Sequence, residues 1–217
     1  MSFLSRLFGA KDESAKSEGK LQQRLERMEA EAANAAPAFV GSTHNRAGDM
    51  ALRAGDDERA VAYYGRAIDA FLEDGQREAA RGVANKIIRV RPKAVRTLCT
   101  LTWLDLASKH TATALLHLRD YVSAAKDVDE SALAADQLHS MARTVKDAEF
   151  LGAVADALDG LDFSHRAAEV RGWARDEGSP EALTDAEALA SACLGAAMRS
   201  SERGTSDGKK KKGKPSE

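Results

Sequence analysis

The residues able to do chemistry are few and dispersed. The chain of 217 residues has five histidines (His44, His110, His117, His139, His165) and two cysteines (Cys99, Cys193). They form no HExxH run and no i, i+4 histidine pair, and no closely spaced cysteines suggest a metal knuckle. His110 and His117 share one helix face two turns apart, so a metal there would need ligands from another helix. No G-x-S-x-G turn offers a nucleophile. The stretch "GDMALRAGDDERAVAYYGRAIDAF", Gly48 to Phe71, is rich in glycine and acids. A phosphate loop needs a strand before its glycines and backbone N–H groups aimed at the anion. Here the glycines stand seven and ten residues apart with no strand before them. Asp56, Asp57 and Glu58 read instead as a helix cap and first-turn acids favoured by the helix dipole. An enzyme is not expected, and no cofactor or metal is implied.

The elements that position these residues follow from composition. Hydrophobic residues are 43% of the chain but aromatics only 5%, so Ala and Leu supply most of the core. That favours close helix packing over strands, which use β-branched and aromatic residues. The fold class predicted is all-α. Net charge is −2. From Arg199 onward seven Lys/Arg face three Asp/Glu, a surplus of four, so the rest of the chain carries −6. A general nucleic-acid binder, basic overall, is not expected. Cys99 and Cys193 read as free thiols in a reducing cytoplasm. No apolar run reaches the roughly 20 residues of a spanning helix.

Along the chain, residues 1–20 read as an amphipathic, flexible leader. Phe3, Leu4, Leu7 and Phe8 make one apolar helix face, and the polar "KDESAKSEGK" follows. Residues 21–36 read as a leading helix, with Pro37 ending it or lying just beyond it. Residues 42–126 carry closely spaced helices, the first capped by Ser42 or Thr43. Gly55 stops that helix and Asp56 caps the next, whose buried stripe is Ala60, Tyr63, Tyr64, Ala67, Ile68 and Phe71. Gly75 and Pro92 punctuate two more. Residues 131–199 read as less regular helical hairpins, with Ser179-Pro180 as the start of the last helix. Residues 200–217, with "KKKKGK", read as a disordered Lys-rich tail.

This spacing resembles the tetratricopeptide repeat, a helix hairpin of about 34 residues. Ala47-Gly48 stand at the repeat's Leu-Gly pair, Gly55-Asp56 at its turn, and Ala60, Tyr64 and Ala67 at its small, aromatic and small positions. His44, Ala51 and Leu72 depart from the usual Trp, Tyr and Pro. A second register, Gly75, Ala80, Ile87 and Pro92, follows only 20 residues later, which looks like the longer paired helices of the SNAP-type branch. The resemblance implies stacked antiparallel hairpins in a right-handed superhelix of about eight helices. It also implies a concave groove, lined by first helices, that takes a protein or peptide partner. Carried over by position, Asn45 and Asp49 face the groove with Arg46 and Arg53 at its margins. Arg66 and Asp69 join them if the second register is used, and Arg96, Cys99 and Trp103 follow in the third hairpin. The competing reading makes the charges ordinary solvated positions and Trp103 a core residue. The family's carboxylate-clamp pattern is not reproduced, so recognition of a C-terminal tail is not implied.

The leading expectation is a cytoplasmic, non-catalytic scaffold or adaptor for protein partners. One alternative is a membrane-peripheral adaptor docking through Phe3, Leu4, Leu7 and Phe8. Another is a nucleic-acid accessory protein using the lysine tail. The cap that such an array needs is expected from the 21–33 helix, the 180–198 helix or a second copy of the chain. Gly65, in mid-helix, is expected to mark a close approach by a neighbouring helix or a ligand.

Overall fold

The computed structural model describes residues 3–176 and 178–206, with side chains described from Glu18 to Ala197 apart from Glu177 and Ala186. The described residues form ten helices and no strand: α1 (Phe3–Asn34), α2 (Pro37–Arg53), α3 (Asp57–Glu73), α4 (Arg77–Val90), α5 (Val95–Ala107), α6 (Thr111–Asp127), α7 (Ser131–Thr144), α8 (Ala148–Gly160), α9 (Ser164–Arg175) and α10 (Ala186–Ser206). None of them is long and apolar enough to cross a membrane. The chain divides into two compact units, Met1–Val83 and Ala84–Glu217.

Five of the connections share one geometry. A left-handed residue ends the helix: Gly55, Gly75, Lys109, Asp129 or Asp162, with φ of 79°, 72°, 56°, 61° and 70°. The next N–H then reaches the carbonyl five residues back, in Asp56 to Ala51 (3.0 Å), Gln76 to Phe71 (2.7 Å), His110 to Asp105 (2.8 Å), Glu130 to Ala125 (2.9 Å) and Phe163 to Leu158 (2.9 Å). These bonds satisfy carbonyls that a helix end leaves without partners. Five residues after each left-handed position stands an alanine, Ala60, Ala80, Ala114, Ala134 or Ala167, and each is fully buried. Gly55 to Lys109 and Gly75 to Asp129 are both 54 positions, and Lys109 to Asp162 is 53. The period is therefore a hairpin plus one further helix. The hairpins are α2–α3, α5–α6 and α8–α9, which pair antiparallel, with α4 and α7 between them.

In the first unit, α2 and α3 approach closely because α2 supplies glycines where α3 supplies rings. A β-carbon on Gly41 would lie 2.6 Å from the Phe71 ring, and one on Gly48 would lie 2.5 Å from the Tyr64 ring. The terminal helix α1 lies on α2, and its Leu25 and Met28 pack against Ala47 and Tyr63. In the second unit, α10 lies on α5 and α7. As a result, α5 is buried at every position from Leu98 to Ala107.

Several boundaries differ from the sequence reading. α1 runs unbroken through the stretch read as a flexible leader. α1 ends at Asn34, so Pro37 lies just beyond it, one of the two placements expected, and it also opens α2, where its missing N–H costs nothing at a first helical position. Ser42 and Thr43 therefore lie inside α2, their hydroxyls donating to the Phe39 carbonyl. Ser179 does not cap α10, which begins at Ala186 and is capped by the Asp185 carboxylate, accepting from the Ala188 N–H at 2.8 Å. α10 continues to Ser206, into the stretch read as tail. Residues 207–217, with the lysine run, lie outside the described residues, as do the side chains of Phe3, Leu4, Leu7 and Phe8.

Candidate functional site

The first unit carries a cleft of about 610 Å³ between α1 and α2. From α1 come Lys20, Leu21, Arg24 and Met28, and from α2 come Arg46, Asp49, Met50 and Arg53, with Ala54 just past its end. Both sets follow helical spacing, so each is one stripe of its helix and the two stripes face each other. Leu21 and Met50 rest on the core of Leu25, Met28, Ala47 and Tyr63 and make an apolar floor. Four cations and one carboxylate surround that floor. Arg46 pairs with Glu31 at 3.4 Å, both side chains more than half exposed. Asp49 accepts the Tyr64 hydroxyl at 2.7 Å. Burial, then this bond to Asp49, pushes the Tyr64 phenol well above its ordinary value, so it stays a donor.

Three of the residues assigned from sequence, Arg46, Asp49 and Arg53, thus meet in one cleft. Asn45, Arg66 and Asp69 stand outside its lining. Arg66 is held by α1: its guanidinium donates to Glu29 at 2.9 Å and lies 5.3 Å from the Tyr63 ring centroid. Tyr63 donates to the same Glu29 at 2.9 Å, and His44 stacks on Tyr63 with centroids 6.4 Å apart. Burial, reinforced by Glu29, lifts the Tyr63 phenol to about 12. Arg66 foremost, then Tyr63, holds the Glu29 carboxyl below its ordinary value. This quartet fastens α1 onto α2 and α3.

Cys99 and Trp103 are corrected by the structure. They were carried over as groove-facing, yet their relative exposures are 2% and 1%. Both side chains turn toward α7, where the Trp103 indole N–H donates to Gln137 Oε1 at 3.4 Å and the Cys99 thiol lies 3.9 Å from the same oxygen. With α10 also seated on α5, that helix is buried at every position from Leu98 to Ala107. Arg96 is half-buried beside Cys99, Tyr121 and Glu130, around a gap of only about 20 Å³. Gly65 is corrected as well: a β-carbon there would meet nothing within 4 Å.

Sequence reasoning missed two histidine–carboxylate pairs. His117 Nδ1 lies 2.7 Å from Asp105 Oδ2, with Asp105 fully buried, and His139 Nε2 lies 3.0 Å from Glu169 Oε2. The partners sit 12 and 30 residues apart, on different helices, so no local spacing announced them. The His139 ring also stands 5.2 Å from that of Trp173. Among the described residues, no three His, Cys, Asp or Glu side chains are grouped to hold a metal. Comparison of the chain with protein-family models, curated proteins and solved structures finds no match.

Proposed function

We propose that the chain is a non-catalytic helical scaffold, an array of tetratricopeptide-like hairpins, that holds a protein partner between α1 and α2. The carrying observation is the cleft with Lys20, Arg24, Arg46 and Arg53 above Leu21, Met28 and Met50. The chemistry fits an acidic segment with apolar side chains. Guanidinium groups pair with carboxylates through two parallel hydrogen bonds. Methionine side chains adapt to differently shaped apolar groups. A polyphosphate fits less well, because Asp49 stands among the cations and most of the chain carries net negative charge.

The test is Arg46→Glu combined with Arg53→Glu in the full chain, used as bait in an extract of its own cells. A photo-cross-linker at Met50 reports which protein enters the cleft. The reading expects a partner that cross-links at Met50 and is lost on charge reversal, with helical content unchanged. A partner retained after charge reversal, or cross-linked only elsewhere, would place the binding surface outside this cleft.

A further inference from the structure

α1 is longer than the helix it rests on. Two residues join α1 to α2, so the pair runs antiparallel, and Glu31 of α1 meets Arg46 of α2. α2 ends at Arg53, seven residues after Arg46. Seven residues back along α1 stands Arg24, so residues 3–23 run past the last turn of α2. At a rise of about 1.5 Å per residue, that stretch is about 30 Å long. Its backbone is helical from Phe3 onward, without a break at Gly9 or Gly19. Glu18, Gly19 and Lys20 are all exposed, although three successive residues point to widely separated sides of a helix. A β-carbon on Gly19 would meet nothing within 4 Å. The helix has therefore left its seat on α2 by this point.

The residue types change toward the start of the stretch. By sequence spacing, Phe3, Leu4, Leu7 and Phe8 form one helix stripe. Arg6 and Lys11 are the charged residues of positions 1–11, and the first acid is Asp12. Large apolar residues with cations and no acids suit the boundary of an anionic bilayer. Rings and leucines enter the acyl region there, and Lys or Arg meets the headgroup phosphates. Between Asp12 and Met198 acids outnumber Lys and Arg, so an anionic surface repels the body of the chain and attracts this end of it.

We propose that the first turns of α1 are a membrane-surface anchor, in which residues 3–11 lie in the interface of an anionic bilayer with Phe3, Leu4, Leu7 and Phe8 toward the acyl chains. The length of α1 past α2 lets this stripe reach lipid while Leu25 and Met28 keep the docked half in place. The surface is distinct from the α1–α2 cleft, and the proposal does not depend on that cleft's role.

The test floats the full chain with vesicles of mixed phosphatidylglycerol and phosphatidylcholine, and with vesicles of phosphatidylcholine alone. The chain should float with the anionic vesicles, and less so with neutral ones or at high salt. Leu7→Glu with Phe8→Glu should lower partitioning at least about tenfold through lost apolar burial. The urea midpoint should stay at the wild-type value, because the docked half of α1 is untouched. Phe8→Trp should add emission that brominated acyl chains quench, beyond that of Trp103 and Trp173 in the parent chain. Absence of flotation, or flotation that survives Leu7→Glu with Phe8→Glu, would overturn the proposal. So would a lowered midpoint, which would place the stripe within the fold. Flotation lost only with Arg46→Glu and Arg53→Glu would assign the lipid to the cleft instead. Partner cross-linking at Met50 should be unchanged by Leu7→Glu with Phe8→Glu, so failure of one surface is distinguishable from failure of the other.

Discussion

The ring of Tyr64 occupies the space in which a β-carbon on Gly48 would stand, its Cδ1 and Cε1 lying 2.5 Å from that point. Phe71 stands in the same relation to Gly41. The pairs are seven residues apart on both helices, so one register of α2 on α3 satisfies both. Gly65 on α3 has open space instead. The same substitution should therefore change sign along one hairpin. Gly48→Ala is expected to cost about 1–3 kcal/mol through overpacking. Gly65→Ala is expected to gain up to about 1 kcal/mol from helix propensity. Urea unfolding followed by circular dichroism checks both. A stabilising Gly48→Ala would contradict the close approach.

Trp103 provides a second test, because burial and groove exposure predict different phenotypes. With 1% exposure, Trp103→Ala should destabilise the chain by about 3–5 kcal/mol. A groove residue would lose affinity while stability stayed near wild type. Calorimetric unfolding of the variant decides, and an unchanged Tm would return Trp103 to the surface.

Acid should loosen α1. His44 is held below its ordinary 6.5 by burial first and then by Arg66. As pH falls, the unfolded chain takes up this proton before the folded one does. The neutral folded form therefore contributes stability that is full above pH 6.5 and lost on descending toward its folded pKa. Glu29, also depressed, contributes stability present above its ordinary 4.5 and lost as pH falls through its folded pKa. The two effects have the same sign in successive windows. The urea midpoint should fall in two stages between pH 7.5 and 3. His44→Gln should flatten the upper stage and Glu29→Gln the lower. A midpoint that rises on acidification through either window would refute the assignment.

Turns without glycine hold removable strain. Lys109 adopts φ of 56°, where a side chain costs roughly 1–2 kcal/mol relative to glycine. Lys109→Gly should therefore stabilise the chain by about 1 kcal/mol, less the greater entropy of the unfolded glycine. Asp129→Gly and Asp162→Gly should gain less, since aspartate tolerates this region better. Three urea titrations rank them, and a reversed order would show that the lysine makes a compensating contact.

What was legible in the sequence was local. Gly55 and Asp56 could be read because the left-handed stop and the cap fall within a few residues, and Asp56 Oδ1 does accept the Arg59 N–H at 3.0 Å. The later turns were harder to read because Lys109, Asp129 and Asp162 take the glycine position. Pro37 was ambiguous in principle, since proline suits both the end of one helix and the start of the next. Ser179 looked like a cap, but its hydroxyl is engaged by the distant Arg143 carbonyl. The fate of Trp103 depended on α7 and α10, which no spacing around Trp103 encodes. The cleft was half legible: α2 offered Arg46, Asp49 and Arg53, while Lys20 and Arg24 joined them only through the docking of α1.

Most helix pairings here join neighbours in sequence, but the seat of α10 on α5 does not. Chains emerge N-terminus first, and local hairpins form ahead of distant contacts. Leu98–Ala107 are therefore made, and can pair with α6, well before Ala186–Ser206 exist. Through that interval a strongly apolar helix face waits on the ribosome without its cover. A truncation before Ala186 would leave that face uncovered for good, and is expected to favour aggregation of the shortened chain.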